Sequence, residues 1–226
     1  MKFSQRNNMA WRARLMLIAF VIFLVACEGR DDNGSSSVRN SGIQLAGATT
    51  GKLMDAAVSG VNYSTSSKMT GITDEHGTYK YNHGDTVEFK LGSLVLGETK
   101  ASAIVTPINL AGGHIPRLQN LLVLLQALDS DSEPGNGISI SEVAAAAVGA
   151  DINLDDDPKK FAASSALKNI REKAEIKGKI RSLAEINSHF LSQGIVLLSN
   201  NVWVKYDETT ATLIRMSNVN DGEYLF

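Results

Sequence analysis

Apolar and polar residues alternate with period two in the segment that follows residue 43. The run TVEFKLG puts Val87, Phe89 and Leu91 at every second position, with charged residues between them. Alternation of this kind, interrupted by turns rich in Gly and Asp, is typical of antiparallel strands that bury one face. Several such short strands predict an antiparallel sandwich or a partial barrel, and we assign a small β-sandwich to residues 44–110.

Turns are expected inside this segment where Gly and Asp interrupt the alternation. The run ITDEHGTYKYN predicts a strand, a turn over Asp74–Gly77 and a second strand. In that second strand Tyr79 and Tyr81 should share one face, because successive side chains of a strand point to opposite sides. The sequence HGD, residues 83–85, predicts another turn before the next strand.

The period changes after residue 110, where apolar residues recur at spacings of three and four. Five leucines form one such stripe: Leu118, Leu121, Leu122, Leu125 and Leu128. This spacing predicts an amphipathic helix, and Pro116 suits its first turn. Similar patterns continue further along the chain, so we expect a helical domain over residues 111–193.

Capping residues mark the expected starts of later helices. Asp157 and Pro158 are expected to open a long helix that continues to about Gly178. Ser182–Glu185 is a capping box and predicts the start of the last helix. The chain then returns to β-branched and aromatic residues, which predict a C-terminal β segment over residues 194–226. The expected fold class is α+β, a small antiparallel β-sandwich followed by a compact helical segment and a C-terminal strand region.

The N-terminus carries an uninterrupted apolar run, LMLIAFVIFLVA, preceded by basic residues. The run is twelve residues long, from Leu15 to Ala26, whereas a membrane-spanning helix needs about 20. A basic start with a short apolar core is typical of a secretory signal peptide, which we assign to residues 1–26. The polar, Gly- and Ser-rich residues 27–43 are predicted to form a flexible tether.

The apolar run ends in LVAC, residues 24–27, which resembles the lipobox of bacterial lipoproteins. The resemblance implies that Cys27 receives a diglyceride, gains palmitate-type acyl chains and becomes the new N-terminus. Cys27 is the only cysteine of the chain, and a lone thiol is otherwise unusual in an exported protein. The next residue is Glu28, not the aspartate that tends to retain such lipoproteins at the inner membrane. The resemblance therefore implies a lipid-anchored outer-membrane protein, on either the periplasmic or the cell-surface face.

Two further resemblances concern architecture. The segment from GKLMDAAVSGVNYST to GITDEHGTYKYNHGDTVEFKLG resembles the small prealbumin-like sandwiches related to the carboxypeptidase regulatory domain. It implies a β-sandwich that serves as a non-catalytic spacer or binding unit. A longer stretch, including NLLVLLQALDSDSEPGNGISIS, resembles the N-terminal regions of large exported γ-proteobacterial proteins, mostly uncharacterised. That second resemblance implies export and architecture only.

Charged residues are unevenly distributed along the chain. There are 22 Lys and Arg against 24 Asp and Glu, and four of the cations lie in the predicted signal peptide. The rest of the chain is therefore acidic, which argues against a nucleic-acid partner. Residues 129–158 hold eight acids and no Lys or Arg, whereas residues 159–181 hold eight cations and two acids. The basic stretch is either a surface for anionic lipid headgroups, lipopolysaccharide phosphates or an acidic partner, or a solvated face beside the acids. We expect the second.

The stretch LDSDSEPGNGISISE, residues 128–142, lies between two predicted helices and allows two interpretations. As a calcium site it would offer five oxygen-bearing side chains: Asp129, Asp131, Glu133, Asn136 and Glu142. Calcium accepts six to eight oxygens in flexible geometry. A strict calcium loop is not met, because Pro134 stands where Gly is needed and Ile140 where a bidentate acid is needed.

As an acidic turn, the same stretch would end in a capping box from Ser139 to Glu142. Ile138 and Val143 would then form a hydrophobic staple across the helix start. Glu142 has a structural role in this interpretation without any metal. We expect this capped turn and no cofactor, and a weak calcium site is the alternative.

Motifs of catalytic chemistry are not evident in the sequence. The histidines, His76, His83, His114 and His189, lack a metal-ligand spacing such as HExxH, and there is no GxSxG elbow or phosphate loop. We therefore expect a non-catalytic lipid-anchored envelope protein with a binding or scaffolding role, for example in surface adhesion or envelope assembly. Its partners would be the membrane, through the lipid, and an envelope protein or glycan. The alternative is an enzyme or enzyme accessory acting on an envelope polymer such as glycan, although Trp203 is the only tryptophan after the signal peptide.

Overall fold

The computed structural model describes residues 47–193 and two strands at 203–207 and 212–216. Helices and mostly antiparallel strand pairs are both present, which confirms the predicted α+β class. The strands are β1 (Ala48–Leu53), β2 (Val58–Ser59), β3 (Asn62–Thr65), β4 (Thr70–Ile72), β5 (Thr78–Asn82), β6 (Thr86–Leu91), β7 (Leu94–Lys100), β8 (Ile104–Val105), β9 (Ile138–Ser139), β10 (Trp203–Asp207) and β11 (Thr212–Met216). The helices are α1 (Pro107–Leu110), α2 (Ile115–Ala127), α3 (Glu142–Ala147), α4 (Pro158–Ala162), α5 (Ser165–Lys173) and α6 (Leu183–Ser192).

The first sheet contains β5, β1 and β8 in that order. Strand β1 pairs antiparallel with β5 and parallel with β8. Gly51 in β1 is required by close packing, since a Cβ there would lie 2.2 Å from the Ser102 carbonyl oxygen and 2.7 Å from the Tyr79 ring. The Tyr79 hydroxyl donates to that same carbonyl at 2.6 Å, so the tyrosine is fixed across the sheet.

The second sheet has the order β4, β3, β6, β7, and all its pairs are antiparallel. Val87, Phe89 and Leu91 are fully buried on one face of β6, as the alternation predicts. The predicted turns are also present, with Gly77 at φ 71° and Gly84 at φ 96°. A left-handed backbone of this kind favours Gly, which has no Cβ to clash.

Aromatic rings from the two sheets contact one another. The Tyr79 ring, on the first sheet, lies 5.8 Å from the Tyr63 ring and 5.2 Å from the Phe89 ring, both on the second sheet. Tyr81 stacks on Tyr79 at 5.4 Å. The predicted shared face of Tyr79 and Tyr81 is confirmed, because both are buried in this interior.

From Leu118 to Ala127, helix α2 is buried on every side, not along one stripe. The five leucines of the predicted stripe are at most 2% exposed, but the polar residues Gln119, Asn120 and Gln126 are equally buried. Asn120 donates through Nδ2 to the Leu154 carbonyl at 2.9 Å and to the Asp156 carbonyl at 2.7 Å. The helix therefore lies at the centre of the core, and its polar side chains bind the segments wrapped around it.

The long helix expected from Asp157 to Gly178 is wrong, because two short helices, α4 and α5, occupy that stretch. Asp157 does cap the first, accepting from the Lys159 and Lys160 amides at 3.1 Å each. Ser164 then starts a second helix by accepting from the Leu167 amide at 3.3 Å. A serine hydroxyl that binds backbone in this way competes with continuation of the preceding helix.

A parallel pair between β2 and β9 joins the helical half of the chain to the strand half, with Val58 opposite Ile138. The strand β9 interrupts a loop that the sequence predicts only as a turn. Gly60 follows β2 at φ 83°, and a Cβ there would lie 2.0 Å from the Ile140 carbonyl oxygen. Both backbone conformation and space therefore demand Gly at this junction.

The predicted capping box opens α6: the Ser182 hydroxyl accepts from the Glu185 amide at 3.3 Å, and Glu185 accepts from the Ser182 amide at 2.7 Å. Within the predicted C-terminal β segment, β10 and β11 pair antiparallel. One cluster of buried apolar residues runs from Leu53 to Phe190, through both sheets and the helices. Among the described residues, no helix has the length and apolar character to cross a membrane.

Candidate functional site

The predicted lipid attachment point, Cys27, lies outside the described residues, as do the rest of residues 1–46. The signal peptide, the tether and the lipid therefore stay predictions from sequence. The remaining candidate sites lie in the described part of the chain: the acidic stretch, the histidines and the basic stretch. A further candidate is a buried polar cluster, which the sequence did not predict.

The first acid of the acidic stretch is buried. Asp129 is 1% exposed, follows the end of α2, and forms a backbone bridge with Ile140. Its Oδ1 accepts from the Ser139 amide at 2.9 Å, whereas Oδ2 has no hydrogen-bond partner among the described residues. Burial raises the pKa of Asp129 to about 6, against the opposing effect of the Ser139 amide. Asp129 therefore closes the base of the loop.

The tip of the stretch is held by Asp131. Its Oδ2 accepts from the Asn136 amide side chain at 2.9 Å, and its Oδ1 accepts from the Glu133 backbone amide at 2.9 Å. The hydrogen bond from Asn136 is the main reason that the pKa of Asp131 is lowered. The structure thus joins Asp131 to Asn136 through side chains, and both carboxylate oxygens are used inside the loop.

The remaining calcium candidates, Glu133 and Glu142, are exposed. Glu142 is the first residue of α3. Within the described ranges, no three His, Cys, Asp or Glu side chains converge so that they could hold a metal ion. Calcium binding stays the alternative that the sequence of the loop allows.

The predicted cap at Ser139 is wrong, because α3 begins two residues later with Ser141 as its cap. The Ser141 hydroxyl accepts from the Ala144 amide at 3.1 Å. Ser139 belongs instead to β9, and its amide is already bound to Asp129. The staple is wrong for the same reason, since Ile138 is 1% exposed in the core whereas Val143 is 57% exposed.

A buried polar cluster lies where α2 and α6 meet the turn after β1. Asp55 in that turn is fully buried, and its Oδ2 accepts from Nε2 of Gln126 at 3.0 Å. The same Gln126 nitrogen lies 3.3 Å from the Ile186 carbonyl of α6. Gln126 therefore links the strand half, the central helix and the last helix.

The electrostatics of this cluster are unusual for a surface turn. Burial raises the pKa of Asp55 to about 7, and the Gln126 hydrogen bond and the Arg181 charge oppose the rise. The pKa of His189, in α6, is lowered by burial and by Arg181, against a hydrogen bond to the Asp55 backbone. Perturbed pKa values are frequent at functional sites. The Asp55 carboxyl is fully buried, and its Oδ2 accepts from Gln126.

Sequence reasoning missed this cluster because a turn aspartate is normally exposed. The only local indication was Gln126 within a leucine-rich helix, a polar residue on a helix whose apolar pattern predicts burial. The other histidines are placed as their turn positions suggest. His76 and His114 are exposed, and the His83 ring contacts Tyr81 at 5.9 Å.

The basic stretch forms an exposed surface beside a cleft. Ion pairs within residues 47–193 include only one of its cations, Lys179, at 3.8 Å from Glu185. The acidic and basic stretches meet through hydrogen bonds. The Ser132 hydroxyl donates to the Lys177 carbonyl at 2.8 Å, and Asp157 accepts from the Lys159 and Lys160 amides. No ion pair joins the two stretches in the described part.

The aromatic side chains of residues 47–193 are all buried: Tyr63, Tyr79, Tyr81, Phe89, Phe161 and Phe190. These six therefore offer no exposed stacking surface for a sugar ring. The side chain of Trp203 lies outside the described part of the structure. No protein-family model, curated protein or solved structure matches this chain.

Proposed function

We propose that this protein is a non-catalytic, lipid-anchored envelope protein of the outer membrane with a binding or scaffolding role. The observation that carries the proposal is LVAC after a twelve-residue apolar run, with Cys27 as the only cysteine. A run of that length is too short to span a bilayer, so lipid on Cys27 would supply the anchor. Surface adhesion and envelope assembly are the roles that this arrangement suits.

The described fold suits a domain that binds partners through its exposed outer faces. We propose that its two sheets form a prealbumin-like sandwich, supported by the contacts of Tyr79 with Tyr63 and Phe89 across them. The Asp55 carboxyl, whose pKa is raised, is fully buried and accepts from Gln126. Binding would then use the outer faces of the domain, with an envelope protein or glycan as partner.

The test of the anchor uses Cys27→Ser in the full chain, expressed in a Gram-negative host with labelled palmitate. The native chain should incorporate label and fractionate with outer membranes. Cys27→Ser should incorporate none and leave that fraction. Glu28→Gln serves as the matched control, since it changes the neighbouring residue and should keep the label. Continued labelling of Cys27→Ser would refute the proposal.

A further inference from the structure

Helix α5 and the segment after it line an open cleft of about 410 Å³. Its apolar lining comes from Ala162, Ile176 and Ile180, and its charged lining from Lys168, Arg171 and Glu172. Ligand sites commonly measure about 300–1,000 Å³ and combine apolar walls with a few polar groups. This cleft has that size and that mixed lining.

The shape of the cleft depends on Arg171, which is only 5% exposed. Its guanidinium donates to the carbonyls of Lys177 at 3.1 Å and Gly178 at 2.9 Å, and also to the Ala127 carbonyl at the end of α2. These bonds hold the segment after α5 against the core. All three partners are neutral carbonyls, and among the described residues Arg171 has no acidic partner within 4 Å.

Lysines are frequent on the segments that line this cleft, α4, α5 and residues 174–180, and Lys168 itself lines it. Six of them are exposed: Lys159, Lys160, Lys168, Lys173, Lys177 and Lys179. Of these six, only Lys179 has an acidic partner within 4 Å among the described residues, namely Glu185 at 3.8 Å. The other five are available to an external anion, and only Glu172 and Glu175 oppose them within residues 159–181.

We propose that this basic cleft, formed by α4, α5 and residues 174–180, docks on an anionic phospholipid surface. The lysines contact lipid phosphates, and Ile176 and Ile180 receive an apolar part of the lipid. The apolar lining is the reason to choose an amphiphile, since Ile176 and Ile180 pack against the core on one side and a purely polar anion would leave their exposed parts uncovered. Clustered lysines near an anionic bilayer each add appreciably to binding.

The docking deepens the proposed function and rests on it for its cellular setting. Gly47 lies twenty positions after Cys27, and such a chain reaches at most about 70 Å. Lipid on Cys27 would thus keep the cleft within reach of the bilayer. The docking itself is tested without the lipid, so the two proposals can fail separately.

The experiment uses the chain from Glu28 to Phe226, which retains every described core residue, Leu53 to Phe190. Co-sedimentation is measured with phosphatidylglycerol–phosphatidylethanolamine vesicles and with neutral phosphatidylcholine vesicles. Binding should occur only to the anionic vesicles and should weaken when salt rises from about 0.05 M to about 0.5 M. Absence of binding at low salt, or equal binding to neutral vesicles, overturns the proposal.

Two triple variants distinguish the effect of the lysines on this face from the effect of the net charge of the protein. Lys159→Glu, Lys160→Glu and Lys168→Glu together should weaken partitioning at least about tenfold. The matched control reverses three exposed lysines of the strand half, Lys52→Glu, Lys80→Glu and Lys100→Glu, and changes the net charge equally. The control should bind within about twofold of the native chain. Equal losses in both variants would show a general charge effect and overturn the assignment to this face.

The apolar contribution is tested by Ile176→Ser, which should reduce partitioning several-fold at unchanged net charge. Ile72→Ser is the control, because Ile72 is 62% exposed on β4, far along the chain from the cleft. Circular dichroism melting confirms that each variant is folded before binding is compared. A folded Ile176→Ser variant that binds as tightly as the native chain would overturn insertion into the cleft.

Discussion

Gln126, in the interior of α2, donates a hydrogen bond of 3.0 Å to the carboxyl of Asp55, in the turn after β1. The two residues are 71 positions apart in the chain. Both are almost completely buried, and the same amide nitrogen reaches the Ile186 carbonyl of α6. Their contact therefore connects the strand half with the two helices that cover this end of the core.

We expect the ionisation of Asp55 to lower the stability of the protein as pH rises from about 4 to about 7, with Asp129, whose pKa is raised to about 6, acting in the same direction. Burial raises the folded-state pKa of Asp55 from 3.8 to about 7. Between those values the folded chain keeps the proton that the unfolded chain has lost, so raising the pH favours unfolding. The contribution is complete below the unfolded pKa and is lost above the folded one. Its size is on the order of 4 kcal/mol.

The measurement compares urea unfolding of the native chain and Asp55→Asn between pH 4 and pH 8. Asn keeps an oxygen that can accept from Gln126 but does not titrate. The variant should gain stability relative to the native chain as pH rises through this window. Asp151→Asn, at an exposed position, controls for the loss of one carboxylate. A pH-independent difference between the native chain and Asp55→Asn would contradict a raised pKa.

Ser141→Ala should lower the free energy of unfolding by about 1 kcal/mol, because it removes the cap of α3. The Ser141 hydroxyl accepts from the Ala144 amide at 3.1 Å. Ser139→Ala is the matched control, two residues away and exposed, and should change stability by less than about 0.5 kcal/mol. Chemical denaturation of both variants measures the two losses. A larger loss for Ser139→Ala than for Ser141→Ala would show that Ser139 is the cap.

Gly60→Ala should destabilise the protein more than Gly84→Ala. Both glycines have positive φ, 83° and 96°, so both substitutions strain the backbone. A Cβ at Gly60 would also lie 2.0 Å from the Ile140 carbonyl, whereas at Gly84 nothing lies within 4 Å. The difference in unfolding free energy between the two variants therefore reports the close approach of β2 to the β9 segment. Equal losses would show that backbone strain alone matters.

Calcium, if it binds the acidic stretch, should bind weakly, with a dissociation constant of about 10⁻⁴–10⁻³ M as in extracellular modules. Both Asp131 oxygens already accept hydrogen bonds within the loop, from Asn136 and from Glu133. Isothermal titration of the native chain and of Asp131→Ala measures this directly. Micromolar binding that Asp131→Ala abolishes would make the loop a true metal site and contradict the weak-binding expectation.

Local patterns in the sequence predicted several elements correctly. Alternation placed Val87, Phe89 and Leu91 on the buried face of β6, and the caps at Asp157 and Ser182 open helices in the structure. These features depend on residues within a few positions of one another, so the sequence alone expresses them. The segregation of charge is also visible in the sequence. The cleft beside the basic residues, however, forms only when α4 and α5 are folded.

By itself, then, the sequence determined the α+β class, the faces of the strands and the apolar run that ends at Cys27. Tertiary structure alone decided that Asp55 is buried, that β9 pairs with β2, and that Ser141 replaces Ser139 as the cap. In the local sequence Asp55 looks like an ordinary turn residue. It is buried by distant helices, and its partner Gln126 in α2 lies 71 positions away. Likewise, β9 exists because Val58 lies opposite Ile138, and that pairing takes up Ser139 before the helix can begin. Contacts between distant segments set these outcomes, because their free energy outweighs the weak preferences of short local motifs.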